Sequence, residues 1–163
     1  MTIAAAPALP RSLALAGAAW FVAIGAALFE TALAAAHALT THEFTLPAVL
    51  GQVAVRLVVF TVAAWLTLAL WRGRNAARIA LTIGLSVLGL LSLLIAPIEW
   101  LTTGRQIGEA LRQLSVYDAT FAASRVVHVL AVVAATVLMY RPSTSRYLGG
   151  RGRRAPDPRP LTD

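Results

Sequence analysis

The chain lacks cysteine and lysine altogether and carries only seven acidic side chains among 163 residues. Without cysteine there can be no disulfide, no thiolate metal site and no thiol redox chemistry. Without lysine, all 14 basic residues are arginine. A GC-rich coding sequence would give that bias together with the many alanines, so no function is read into it. Charged residues make up only 13% of the chain, against 58% hydrophobic. A soluble domain is about 45–50% apolar even on a count that includes glycine. The mean hydropathy of +0.73 comes from long apolar runs, which imply a polytopic membrane protein. The net charge of +7 is distributed as a topology signal and does not imply nucleic acid.

Four runs are long enough to cross a bilayer, for which about 20 residues suffice at 1.5 Å per residue. Residues 1–12 read as a short cytoplasmic lead. The spans are expected near 13–39, 48–71, 79–101 and 119–140. Pro47 suits the first turn of the second span, where its missing N–H has no partner to lose. Residues 72–78, Arg-Gly-Arg-Asn-Ala-Ala-Arg, form a tight basic turn. Gly84, Ser86, Gly89 and Ser92 offer small surfaces on the third span, and Pro97 is a candidate kink near its end. In the loop 102–118, Ile107, Ala110, Leu111 and Leu114 recur at helical spacing opposite Arg105, Glu109, Arg112 and Gln113. A short amphipathic helix on the outer surface is expected there. The tail 141–163 is basic, rich in Pro and Gly, and expected to be disordered near anionic lipid heads. Trp20, Trp65, Trp71 and Trp100 are expected in the interfacial belt. A cleaved signal peptide ending in the small-residue tract 34–38 is an alternative for the first run. That run is, however, longer than the about 7–15 residues of such a region.

Arginine counts orient the chain. With both termini cytoplasmic, the inner side holds ten arginines, at positions 11, 72, 74, 78, 141, 146, 151, 153, 154 and 159. The outer side holds Arg105 and Arg112. This is a positive-inside distribution, and it implies a multi-pass location in the cell membrane.

The remaining two, Arg56 and Arg125, lie inside spans. A guanidinium at that depth costs about 2.5–3.5 kcal/mol on insertion scales, so a partner is expected. In the resulting topology Glu30, His37, Arg56, Glu99, Arg125 and His128 all fall in the outer half of the membrane. Glu30 and His37 are seven apart, on one face of the first span. Arg125 and His128 are three apart, on one face of the fourth. By depth, the expected pairs are Glu30 with Arg56 and Glu99 with Arg125. These six can be read as ion pairs that fix helix register, or as the lining of a polar pocket. Intramembrane ionisable residues favour the second reading. Glu99 is equally suited to reach the outer headgroups, and His37 to lie at the interface. Asp118 and Tyr117 are suited to cap and belt the fourth span.

Other chemistries find less support. A haem would need two histidines at one depth, and His37 and His128 differ by a turn or more. A zinc site would need a third ligand, for which Glu30 could serve, but no tight motif is present. There is no nucleotide loop, nucleophile elbow or His-Glu-x-x-His motif. No cofactor or metal is implied.

The turn Gly73-Arg74-Asn75-Ala76-Ala77-Arg78 before an apolar span, with Arg141-Pro142-Ser143 after the last span, resembles a pattern in small bacterial four-span membrane proteins. Those proteins carry Gly-Arg-Asn-Trp-Ala-Arg and an Arg-Pro-Ser exit. Here Ala76 stands in place of the Trp. The resemblance implies the span layout and brings no activity. The sequence therefore leads to an all-α, antiparallel four-helix transmembrane bundle. Its outer pocket would bind a lipid head or another anionic molecule, with Arg56 and Arg125 on the anion. Glu30 and His128, the candidate catalytic pair, would position it or relay protons. Two alternatives stay open. One is a structural subunit of a membrane complex, with a second copy or another membrane protein as partner. The other is a small enzyme or proton-coupled carrier using Glu30 and His128, for which four spans are few unless it dimerises.

Overall fold

Helices account for all the regular structure of the computed structural model, which describes residues 9–42, 44–102 and 115–152. We label them α1 (Arg11–Thr40), α2 (Leu46–Trp71), α3 (Asn75–Leu81), α4 (Leu90–Thr102), α5 (Val116–Met139) and α6 (Pro142–Gly152). α3 continues without a break into α4 through a π-helical stretch, Thr82–Gly89. α1, α2, the continuous third helix and α5 are each long and apolar enough to cross a membrane. Their bounds agree with the expected spans to within a few residues, because hydropathy sets where each run stops. The amphipathic surface helix expected in the loop 102–118, with Arg105 and Arg112, lies outside the described residues but for its ends. So do Glu43, the side chains of Glu99 and Trp100, and residues 153–163 of the tail.

Local chemistry sets the helix ends. Pro47 lies in the first turn of α2. α5 opens on a capping box: the Asp118 amide donates to Ser115 Oγ at 3.1 Å, and Asp118 Oδ2 accepts from the Ser115 amide at 3.2 Å. Two otherwise unpaired backbone donors are satisfied in this way. Asp118 thus serves as the third residue of a cap. The basic turn between α2 and α3 closes on Gly73, whose φ of 84° is costly for any residue with a Cβ.

α1 is the hub. It packs most extensively against α5 and next against α2. Its buried residues Leu13, Ala16, Gly17, Trp20, Ala23 and Ala27 recur every three or four positions, a stripe of mostly small side chains that lets neighbouring backbones come close. At Gly17 the approach is limiting. An added Cβ would overlap the Trp71 indole, whose Nε1 donates to the Leu13 carbonyl at 3.1 Å.

The core gathers at the end of the molecule that holds the start of α1, the 72–74 turn and α6. Trp20, Leu70, Leu81, Ala135, Met139 and Leu148 meet there. Trp20 is 1% exposed and donates from Nε1 to Met139 Sδ at 3.5 Å, so the belt position expected from sequence is wrong for it. Trp65 is exposed, as a lipid-facing or belt residue would be.

The tail departs from expectation as well. Residues 142–152 are helical rather than disordered. Pro142 starts the helix, and Thr144 and Leu148, four apart, are buried. Ser12 Oγ lies 2.8 Å from both Ser143 Oγ and Thr144 Oγ1, and Arg78 Nη1 donates to Ser145 Oγ at 3.2 Å. Average composition had hidden a short helix with one buried face.

The third helix is tied to α5 by hydroxyls. Ser86 Oγ and Thr136 Oγ1 are 2.7 Å apart, and Thr82 Oγ1 and Tyr140 OH 3.0 Å. Between α2, the third helix, α1 and α5 a cavity remains beyond the core.

Candidate functional site: a buried carboxylate beside two guanidiniums

Glu30 lies ten residues from the end of α1, Arg56 ten from the start of α2, and Arg125 nine from the start of α5. At 1.5 Å per residue all three sit about 15 Å from the helix ends remote from the core. Their common height along the helices matches the sequence placement, but Glu30 turns to a partner other than Arg56, and the expected Glu99–Arg125 pair lies outside the described residues. Glu30, 4% exposed, faces α5: its Oε2 is 3.1 Å from Arg125 Nε and its Oε1 is 3.4 Å from His128 Nδ1. Arg56 makes no ion pair among the described residues. Its Nη1 donates to Thr31 Oγ1 at 3.4 Å. Arg125, expected to meet Glu99, pairs with Glu30 and also donates from Nη1 to the Leu93 carbonyl at 3.4 Å. Its guanidinium lies 5.0 Å from the Phe121 ring centroid, within cation–π reach.

The reason for the correction is angular. Depth is one coordinate, and the face each helix turns inward is another. Glu30 continues the small-residue stripe of α1 and so faces the most closely packed neighbour. Ser124 Oγ donates to the Ala26 carbonyl at 3.4 Å on the same seam. The spacing of three between Arg125 and His128 delivers both to that seam.

The Glu30 contacts are close but poorly aligned. Glu30 Oε1, Arg125 Nε and His128 Nδ1 are buried without a hydrogen bond of good geometry. Buried charges so arranged retain capacity for another polar group.

These side chains line a cavity of about 260 Å³. α1 contributes Trp20, Ala23, Ile24, Ala27, Glu30 and Thr31. From α2 come Arg56, Val59, Phe60 and Ala63. Leu85, Gly89 and Leu93 come from the third helix, and Arg125, His128 and Val132 from α5. Among the described residues one carboxylate thus faces two guanidiniums, leaving one positive charge in the wall even with His128 neutral.

A second cavity, of about 190 Å³, lies farther from the core. His37 and Tyr117 line it, stacked at a centroid distance of 4.0 Å, together with Gln52 and Phe44. Thr31 and Arg56 belong to the walls of both cavities. His37 is therefore in the outer cavity, apart from Glu30, and the two histidines do not converge. Five of the six ionisable residues expected from sequence line these two cavities, and the Glu99 side chain lies outside the described residues; Thr31 was not expected, and Tyr117 was expected only as a belt residue. A threonine beside Glu30 on the buried stripe was the available signal for Thr31.

Among the described residues no group of three His, Asp or Glu side chains converges as a metal site would require. No family model, curated protein or solved structure matches the chain.

Proposed function

We propose that the protein is a multi-pass membrane protein, an antiparallel four-helix bundle with both termini cytoplasmic. Its outer-half cavity binds an anionic group. The observation that carries this reading is the state of Arg56. It lines a cavity whose buried carboxylate is already matched by Arg125, and among the described residues its polar contact is to a neutral hydroxyl. A guanidinium at membrane depth is expensive without a counter-charge, and an incoming carboxylate or phosphate supplies one through charge-assisted hydrogen bonds. Glu30 holds Arg125 and His128 in place, so that the fixed part of the wall is built before the ligand arrives. The resemblance to small four-span membrane proteins and the ten-to-two distribution of arginines support the orientation.

The test is Arg56→Ala in the full chain. Binding of whichever anionic probe the unaltered protein retains, dodecyl phosphate or an anionic phospholipid, read by native mass spectrometry of the protein released from nanodiscs, should fall at least tenfold, while the protein still accumulates and elutes as one species. Loss of the folded protein instead would assign Arg56 to packing and remove the reading.

A further inference from the structure

The larger cavity is sorted by polarity along its length. On α1 the lining runs from Trp20 through Ala27 to Glu30. On α2 it runs from Ala63 back to Arg56, and on α5 from Val132 back to Arg125. In each helix the apolar positions lie toward the packed core and the ionic ones lie away from it. Seven to ten residues separate the two kinds, which at 1.5 Å per residue is about 10–15 Å. The site is therefore an ionic band over an apolar well. A small hydrophilic anion would leave that well unfilled by matching chemistry. At about 260 Å³ the space is also below the roughly 300–1,000 Å³ of ordinary ligand pockets, a volume nearer to one acyl chain than to two.

We propose that the ligand is a single-chain anionic amphiphile. Its carboxylate or phosphate head lies between Arg56 and Arg125, and its chain runs down the well toward Trp20. This rests on the anion-binding reading above and specifies its substrate class. Charge sets the head: among the described residues the wall carries one excess positive charge. Shape sets the chain: the well is walled by apolar side chains of all four long helices, Val59 and Phe60 among them, and by Gly89, where a helix backbone itself forms the surface. A side chain at Gly89 would enter space with only the Gly84 carbonyl nearby, 3.7 Å from its Cβ.

The full-length protein in phosphatidylcholine nanodiscs is offered dodecyl phosphate, dodecanoate, dodecanol, dimyristoyl phosphatidic acid and, separately, inorganic phosphate. Retention is read by native mass spectrometry at matched mole fraction. The proposal expects at least one of the first two to be retained, and which of them prevails identifies the head. Dodecanol and the two-chain lipid should each be retained at least tenfold less. Arg56→Gln should lower retention of the anionic amphiphile at least tenfold. Gly89→Leu fills the well and should do the same while leaving any binding of inorganic phosphate unchanged. Ala27→Leu fills the well from the opposite wall and stands in if the first variant fails to fold. If the two-chain lipid or inorganic phosphate binds as well, depends on Arg56 and ignores both fillers, the single-chain assignment is overturned and the anion site survives. If no anionic probe depends on Arg56, both readings fall together.

Discussion

Glu30 is the most buried ionisable side chain described, and its energetics differ from those of Arg56. Taking a carboxylate out of water costs several kcal/mol unless partners repay it, and removing one partner of a buried pair costs about 3–5 kcal/mol because the other charge is left alone. Arg125 and His128 are those partners. Arg125→Ala should therefore destabilise the protein by about that amount, measured as the unfolding free energy in detergent or by steric trapping. Arg56→Ala, which among the described residues frees a single hydroxyl contact, should cost less than about 1 kcal/mol, the range of a single weak hydrogen bond. Exchanging the charges, Glu30→Arg with Arg125→Glu, should recover part of the loss of the single variant. Equal losses for Arg56→Ala and Arg125→Ala would show that the two arginines do the same structural work. The distinction between a structural and a ligand-binding arginine would then be lost.

At the scale of elements, the four long helices were legible because nothing but hydropathy and a few breaking residues decides where an apolar run ends. The basic turn was legible from Gly73 and its neighbouring arginines. The partner of Glu30 was not, because rise per residue fixes height but leaves rotation open. Rotation was written in the stripe Ala16, Ala23, Ala27, Glu30, where small residues mark the face of closest approach. The π-helical stretch Thr82–Gly89 was illegible for another reason. Its widened turn is a tertiary accommodation, and neither glycine nor serine at those positions demands it. Pro97, the expected site of a kink, lies outside it, and the helix continues through that position. Such stretches are often found at functional sites, and here this one supplies Leu85 and Gly89 to the cavity wall. A π-helical turn accommodates an extra residue relative to an α-helical turn. Deleting Val87, which is exposed, should return the stretch to α-helix. Because the wide turn had absorbed that residue, α4 would keep its facing, and the change would fall on the wall between Leu85 and Gly89. The variant should insert and remain folded, with anion retention reduced at least tenfold. Unchanged retention would mean that the stretch does not shape the site.

For the whole molecule the decisive quantity is which end faces the cytoplasm. The packed core and α6 share one end with the basic turn, and the ionic band lies in the other half. A ligand taken from the outer leaflet needs the band on the outer side. The ten-to-two arginine distribution is the ground on which that orientation is proposed. The absence of cysteine makes it directly measurable, since any introduced thiol is the only one present. Thr41, in the turn after α1, and Asn75, at the start of α3, are both exposed and lie at opposite ends of the long helices. In intact cells a membrane-impermeant maleimide should label Thr41→Cys and spare Asn75→Cys, and permeabilisation should expose the second. The reverse pattern would turn the cavity toward the inner leaflet and leave the Arg56 site intact, with a cytoplasmic source for its anion. Labelling of both thiols from outside would show that α2 does not cross. Arg56 would then need no counter-charge at membrane depth, which is the premise of the binding site.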